Sequence, residues 1–214
     1  MELDELSFDL YRPQPLLIVI SGTSGIGKDA VLQGLRDRNK GLHFVVTATS
    51  RLPRPNEVDG RDYFFFTRED FARRIKNGEF IEYAMVYDDY KGGMRSQVED
   101  ALKSGKDVVL RVDVQGAETY RRLYPEAILI FLIPHTIDEW YGRLKARNTE
   151  SPENLKVRID TAKEEVKKIE LFDYVVVNAE NCLDKAVNDI LSIISVEHHK
   201  VHHRKLIYYD RSRI

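Results

Sequence analysis

Apolar positions along the chain follow two patterns. Four stretches are continuous rather than alternating: LLIVI (16–20), DVVLRVDV (107–114), AILIFLI (127–133) and FDYVVVNA (172–179). Runs of this length without polar alternation predict strands covered on both faces, as in a parallel sheet. Apolar residues recur at helical spacing in DAVLQGLRDR (29–38), REDFARRIKNG (68–78), RSQVEDALKSG (95–105) and CLDKAVNDILSIIS (182–195). From His135 to about Ile169 the chain is strongly charged and helical in pattern, interrupted by RNTESPEN (147–154). FVVTATS (44–50), YFFF (63–66) and FIEYAMVY (80–87) add strand-like segments, the first two separated by the polar, proline-punctuated RLPRPNEVDGRDY. Strands alternating with helices predict an α/β fold with a parallel-sheet core.

Composition narrows the function classes. The 214 residues hold 33 basic and 35 acidic side chains, a net charge of −2, which disfavours a globally basic nucleic-acid binder. Cys182 is the single cysteine, so no internal disulfide is expected and a reducing compartment fits. The longest apolar runs fall far short of the roughly 20 residues of a membrane span. The first ten residues carry four acids and no base, the wrong charge for a signal or transit peptide. The expectation is a cytoplasmic protein without membrane or nucleic-acid partners. The tail from Glu197 holds four of the six histidines, in HHKVHH, and reads as a solvated basic extension or an extra helical turn.

The first continuous run feeds Gly22, Thr23, Ser24, Gly25, Ile26, Gly27, Lys28 and Asp29, and a helix pattern follows. This is the GxxxxGK core of a phosphate-binding loop in its required strand–loop–helix setting. Glycines let successive backbone N–H groups turn toward phosphate oxygens, the helix N-terminus attracts the anion, and the lysine reaches the β- and γ-phosphates. ATP is the expected nucleotide. Asp29 stands where the motif has Ser or Thr. A carboxylate is a hard oxygen donor suited to Mg²⁺, so Asp29 is a candidate metal ligand, and electrostatic capping of the helix is the alternative.

A second anion site is suggested by Arg51, Arg54, Glu57 and Tyr63, because two arginines and a phenol can clamp a phosphate with charge-assisted hydrogen bonds. Arg-x-Pro-Arg-x-x-Glu, then Gly-x-Asp-Tyr, Glu-Phe-Ile-Glu and Val-Asp-Val-Gln-Gly together resemble the guanylate kinase family from about Leu16 to Ala186. The resemblance implies a P-loop kinase with a parallel-sheet core (1–46, 98–134 and 161–214), an inserted GMP-binding region (47–97) and a helical lid (135–160). It implies transfer of a phosphoryl group from ATP to GMP with Mg²⁺. It matches Arg51, Arg54 and Tyr63, with Lys91 in place of a second tyrosine, to the GMP phosphate, and Thr47 and Glu82 to the guanine. Glu82 suits that base: a carboxylate accepts from both N1–H and the N2 amine, which adenine does not offer. Arg143, Arg147 and Arg158 match the lid arginines that neutralise the migrating group, and Asp113 matches an acid near Mg²⁺.

Two departures stand out. Gly93 replaces a base-contacting hydroxyl residue, and Arg111 replaces an acid. The expectation is that Arg111 compensates for Gly93 by donating to guanine O6 or N7, the alternative being an ion pair with a nearby acid such as Glu82 or Asp113. Two other functions remain compatible: a ribosyl bisphosphate kinase, which also carries an acid after the P-loop lysine, and a non-catalytic phosphopeptide-binding domain. The latter type typically loses the P-loop lysine or glycines, which are intact here.

Overall fold

The computed structural model of the chain describes residues 13–86, 88–146 and 152–201. Its main sheet has five parallel strands in the order β2 (His43–Phe44), β7 (Val108–Arg111), β1 (Leu17–Gly22), β8 (Ile128–Ile133), β9 (Tyr174–Val177). Strand β1 shows why its run is continuous. Ile18 and Ile20 join one buried cluster with residues of α1 (Lys28–Arg38) and α7 (Leu183–His198). Leu17 and Val19 join a second cluster on the opposite face, with α3 (Arg95–Lys103) and α4 (Val114–Leu123). Both faces are covered, so neither alternate set of side chains is polar.

A second sheet is smaller and mixed, in the order β4 (Phe64–Phe65), β3 (Ala48–Thr49), β6 (Asp89–Met94), β5 (Phe80–Val86). Helix α2 (Arg68–Lys76) is fastened to it by Phe71, stacked on Phe80 at 4.3 Å and on Tyr90 at 5.2 Å. Helices α5 (Ile137–Ala146) and α6 (Pro152–Lys167) follow β8.

The differences from the sequence pattern have specific causes. The FVVTATS segment, expected as one strand, divides: β2 pairs with β7, whereas β3 pairs with β4 and β6 in the other sheet. Strand β6 was not expected, because its Gly92–Gly93 pair resembles a turn; its ladder partners on β5 hold it extended. Helix α4 was also not expected. It starts where Asp113 accepts a hydrogen bond from Gly116 N–H at 2.8 Å, an N-cap that the strand-like VDV hides. The described part of the basic tail adds the end of α7, where His198 Nε2 lies 2.7 Å from Asp107 Oδ2.

Candidate active site

The loop between β1 and α1 carries its glycines in conformations closed to other residues. Gly25 and Gly27 have φ of 83° and 91°, and a Cβ on Gly22 would lie 2.5 Å from the Leu132 carbonyl oxygen. Three neighbours brace the loop: Asn178 Nδ2 donates to Ile26 O at 2.7 Å, Trp140 Nε1 to Ser24 O at 2.8 Å, and Arg158 to Ser24 Oγ at 2.9 Å. Arg143 donates to Ile26 O at 3.3 Å and pairs with Glu139. Arg143 and Arg158 therefore both face the loop, while Arg147 lies outside the described residues.

Lys28 folds back over the loop, donating to Gly22 O at 2.5 Å and Thr23 O at 3.2 Å. Burial lowers its pKa, opposed by the nearby Glu165 carboxylate. Glu165, from α6, accepts a hydrogen bond from Ser24 N–H, and burial raises its pKa. Nothing in the residue pattern indicates Glu165, Trp140 or Asn178, since their approach to the loop depends on how α5, α6 and the end of β9 are placed.

One cavity of about 450 Å³ joins this loop to the second anion site. Arg51 and Arg54 line it, and Glu57, outside the lining, grips Arg51 through two hydrogen bonds of 2.6 Å and accepts from Arg54 N–H at 2.7 Å. Arg51 also lies 5.0 Å from the centre of the Tyr63 ring. Glu57 thus holds the arginines, and its own pKa is lowered, first by the hydrogen bond from Arg51. Lys91 is paired in register with Thr49 on β3 and senses the charges of Asp113, Arg51 and Arg54; burial lowers its pKa. Arg51, Arg54, Tyr63 and Lys91 are all cavity-lining, a cluster able to take a dianion.

Glu82 lines the same cavity beside Thr47. The β5–β6 ladder slips between Phe80 and Glu82, and such an irregularity re-aims a side chain. Burial, reinforced by the charge of Asp113 and opposed by a hydrogen bond from Gly93 N–H, pushes its pKa up to about 8. Ionised by the approach of a ligand that presents two N–H groups, Glu82 offers both oxygens as acceptors in a partly dry pocket.

Arg111 takes the ion-paired alternative, with a different acid. Its guanidinium forms an ion pair with Asp29 and lies 4.5 Å from the Tyr63 ring centre, so its partner is neither Glu82 nor Asp113. Burial lowers its pKa to about 10, which leaves it cationic at neutral pH. The group that reaches the space beside Gly93 is Tyr120, not Arg111. Asp29 serves as the counter-ion of Arg111, although its side chain stays 63% exposed and open toward the cavity.

Hard oxygen donors for a divalent cation are present on the chain. One Asp113 oxygen is used by Gly116, and Glu165 Oε2 is buried with no hydrogen-bond partner among the described residues. Mg²⁺ characteristically takes one or two carboxylates together with phosphates and water, and these acids beside the phosphate loop fit that requirement. No cluster of three or more metal-binding side chains occurs among the described residues.

Comparison with known proteins agrees with this geometry. The family described as guanylate kinase matches residues 14–197. Guanylate kinase 2, chloroplastic/mitochondrial, of Oryza sativa subsp. japonica is 52% identical over 193 residues, covering 90% of this chain and 68% of the rice protein. The guanylate kinase of Caldanaerobacter subterraneus subsp. tengcongensis is 41% identical over 197 residues, 92% of this chain and 95% of that protein. Among solved structures, the guanylate kinase of Anaplasma phagocytophilum superposes with a TM-score of 0.72 at 29% identity, covering 88% of this chain and 89% of its own. With the family pattern spanning nearly all of the described residues, the chain belongs to the guanylate kinase family.

Proposed function

We propose that this site transfers the γ-phosphoryl group of ATP to the phosphate of GMP, giving ADP and GDP. The single observation that carries the reading is one cavity lined by the phosphate loop, by the cationic cluster and by Glu82. ATP binds with its phosphates in the Gly22–Lys28 loop. GMP binds with its phosphate on Arg51, Arg54, Tyr63 and Lys91 and its guanine against Glu82 and Thr47. Glu57 acts by fixing the two arginines.

The acceptor phosphate is already an anion, so the protein needs no strong general base. One of its oxygens forms a bond to the γ-phosphorus as the bond to the β,γ-bridging oxygen breaks, and ADP leaves with that electron pair. Catalysis is alignment of the two substrates and neutralisation of charge on the transferred group, supplied by Lys28, Arg143, Arg158 and Arg51. Mg²⁺ would be held by Asp113, with Glu165 or Asp29 within reach, and supplies further positive charge to the phosphates when bound. The mixed sheet acts as the GMP-binding region and α5–α6 as the lid, whose closure excludes water and suppresses ATP hydrolysis. Both substrates are water-soluble anions, and among the described residues no helix is long and apolar enough to cross a membrane. These features support a reaction carried out in an aqueous compartment, the cytoplasm in our reading.

Assay of ADP release with a panel of nucleoside and ribosyl phosphates tests the proposal. Activity with GMP well above that with AMP, CMP, UMP or ribosyl bisphosphates is expected. Preference for a ribosyl bisphosphate, or binding of GMP without turnover, contradicts it.

A further inference from the structure

The floor beneath Glu82 is built from three residues on two elements. Gly93 stands directly opposite Glu82 in the β5–β6 ladder. Gly116 and Tyr120 are four apart on α4 and so share a face. A Cβ built on Gly93 would lie 2.6 Å from the Tyr120 hydroxyl oxygen and 3.1 Å from Glu82 Oε1. A Cβ on Gly116 would lie 3.2 Å from Glu82 Oε2. Both glycines therefore leave room for the carboxylate, and the space a side chain at 93 would enter is already taken by a phenol.

Tyr120 is fully buried, and its hydroxyl has no hydrogen bond among the described residues. A buried unpaired hydroxyl is destabilising, so its retention calls for a bound state in which it is used. An ionised carboxylate has about four lone-pair sites. Gly93 N–H takes one of Glu82's. Two more face the base when guanine N1–H and N2–H donate. A fourth is left for the Tyr120 hydroxyl, which lies close to Gly93 as the Glu82 carboxylate does.

We propose that Tyr120 is a positioning residue for base recognition, whose hydroxyl donates to the inner side of the Glu82 carboxylate and aims its outer acceptors at guanine. The proposal rests on the GMP reading of the cavity. Tyr120 does not line the cavity and acts through Glu82. Burial holds its pKa well above the ordinary tyrosine value, so it remains a donor throughout the working range.

Steady-state kinetics on the full chain, varying GMP and ATP separately, with Tyr120→Phe, Gly93→Ser and the double variant, tests this. Tyr120→Phe should raise the KM for GMP about tenfold, the size of one hydrogen bond to a charged group, with kcat and the KM for ATP changed less than about twofold. Its melting temperature without ligand should equal or exceed that of the parent, because an unpaired buried hydroxyl has been removed. Gly93→Ser should weaken GMP binding in the parent, where its Cβ meets the phenol. In the Tyr120→Phe background the same serine should lower the KM for GMP, its hydroxyl entering the space the phenol leaves. Unchanged GMP affinity in Tyr120→Phe overturns the proposal. So does equal loss for both substrates with a lowered melting temperature, or a serine effect of the same sign in both backgrounds. A parent protein that does not phosphorylate GMP refutes the reading of the cavity instead.

Discussion

The proposed donor and acceptor halves of the cavity are constructed differently. The phosphate loop is contiguous, Gly22 to Lys28, and its binding groups are mostly backbone N–H groups presented by glycine geometry. Even its lysine makes local contacts, with Gly22 O and Thr23 O. The acceptor pocket draws Arg51, Arg54 and Tyr63 from a loop, Glu82 and Lys91 from two strands, and Arg111 and Asp113 from the end of β7. Its binding groups are side chains whose direction depends on register and on the irregularity before Glu82. A backbone site tolerates variation around it as long as its glycines remain. A side-chain site is retuned by any residue beneath it, and three of this chain's four departures, Lys91, Gly93 and Arg111, fall in that half; the fourth, Asp29 in the donor half, is the ion-pair partner of Arg111.

The largest test of this contrast is Lys28→Ala. It should lower kcat/KM by roughly 10²–10³ or more, the scale of losing one preorganised charge-stabilising donor. Its melting temperature should stay near the parent's, because Lys28 contacts the loop and not the apolar core; retained activity would end the donor-site assignment. Glu82 links the acceptor half to stability. Its pKa is raised from 4.5 to about 8, so the folded protein holds a proton there that the unfolded chain releases. The resulting stability is full below about pH 4.5 and is lost as pH rises toward 8, with a slope of at most about 1.4 kcal/mol per unit. Glu82→Gln should flatten that dependence in thermal melts from pH 5 to 8.

The same substitution should reduce selectivity for GMP over AMP by about 1–3 kcal/mol, since an amide presents a donor where guanine also donates. Unaltered selectivity would remove Glu82 from base reading. A smaller effect is expected at the junction of the halves. Arg111→Ala leaves Asp29 unpaired beside the phosphate loop and should raise the KM for ATP severalfold, within about 1 kcal/mol because Asp29 is half open to water. Asp29→Ser in that background should restore it. Failure of the restoration would show that the ion pair does not shield the ATP phosphates.

The donor half was legible in the sequence because its requirements are local: a buried strand, glycines where φ is positive and a helix start. Arg51, Arg54, Glu57 and Tyr63 were legible as a group for a related reason, lying within one short loop. Arg111 shows where this ends. Its ion pair with Asp29 joins the ends of β7 and the phosphate loop, and the parallel pairing of Ile20 with Arg111 is what brings them together. Residue order names neither partner.

Strand and helix periodicity, the phosphate loop and the charged clusters follow from residues close in sequence, whose backbone preferences act without distant partners. The division of residues 44–50 between two sheets depended on long-range pairing. The placing of the Tyr120 hydroxyl against Gly93 and Glu82 came from the same source. Those outcomes belong to the tertiary structure, because close packing settles which of several locally acceptable arrangements leaves room for each buried polar group.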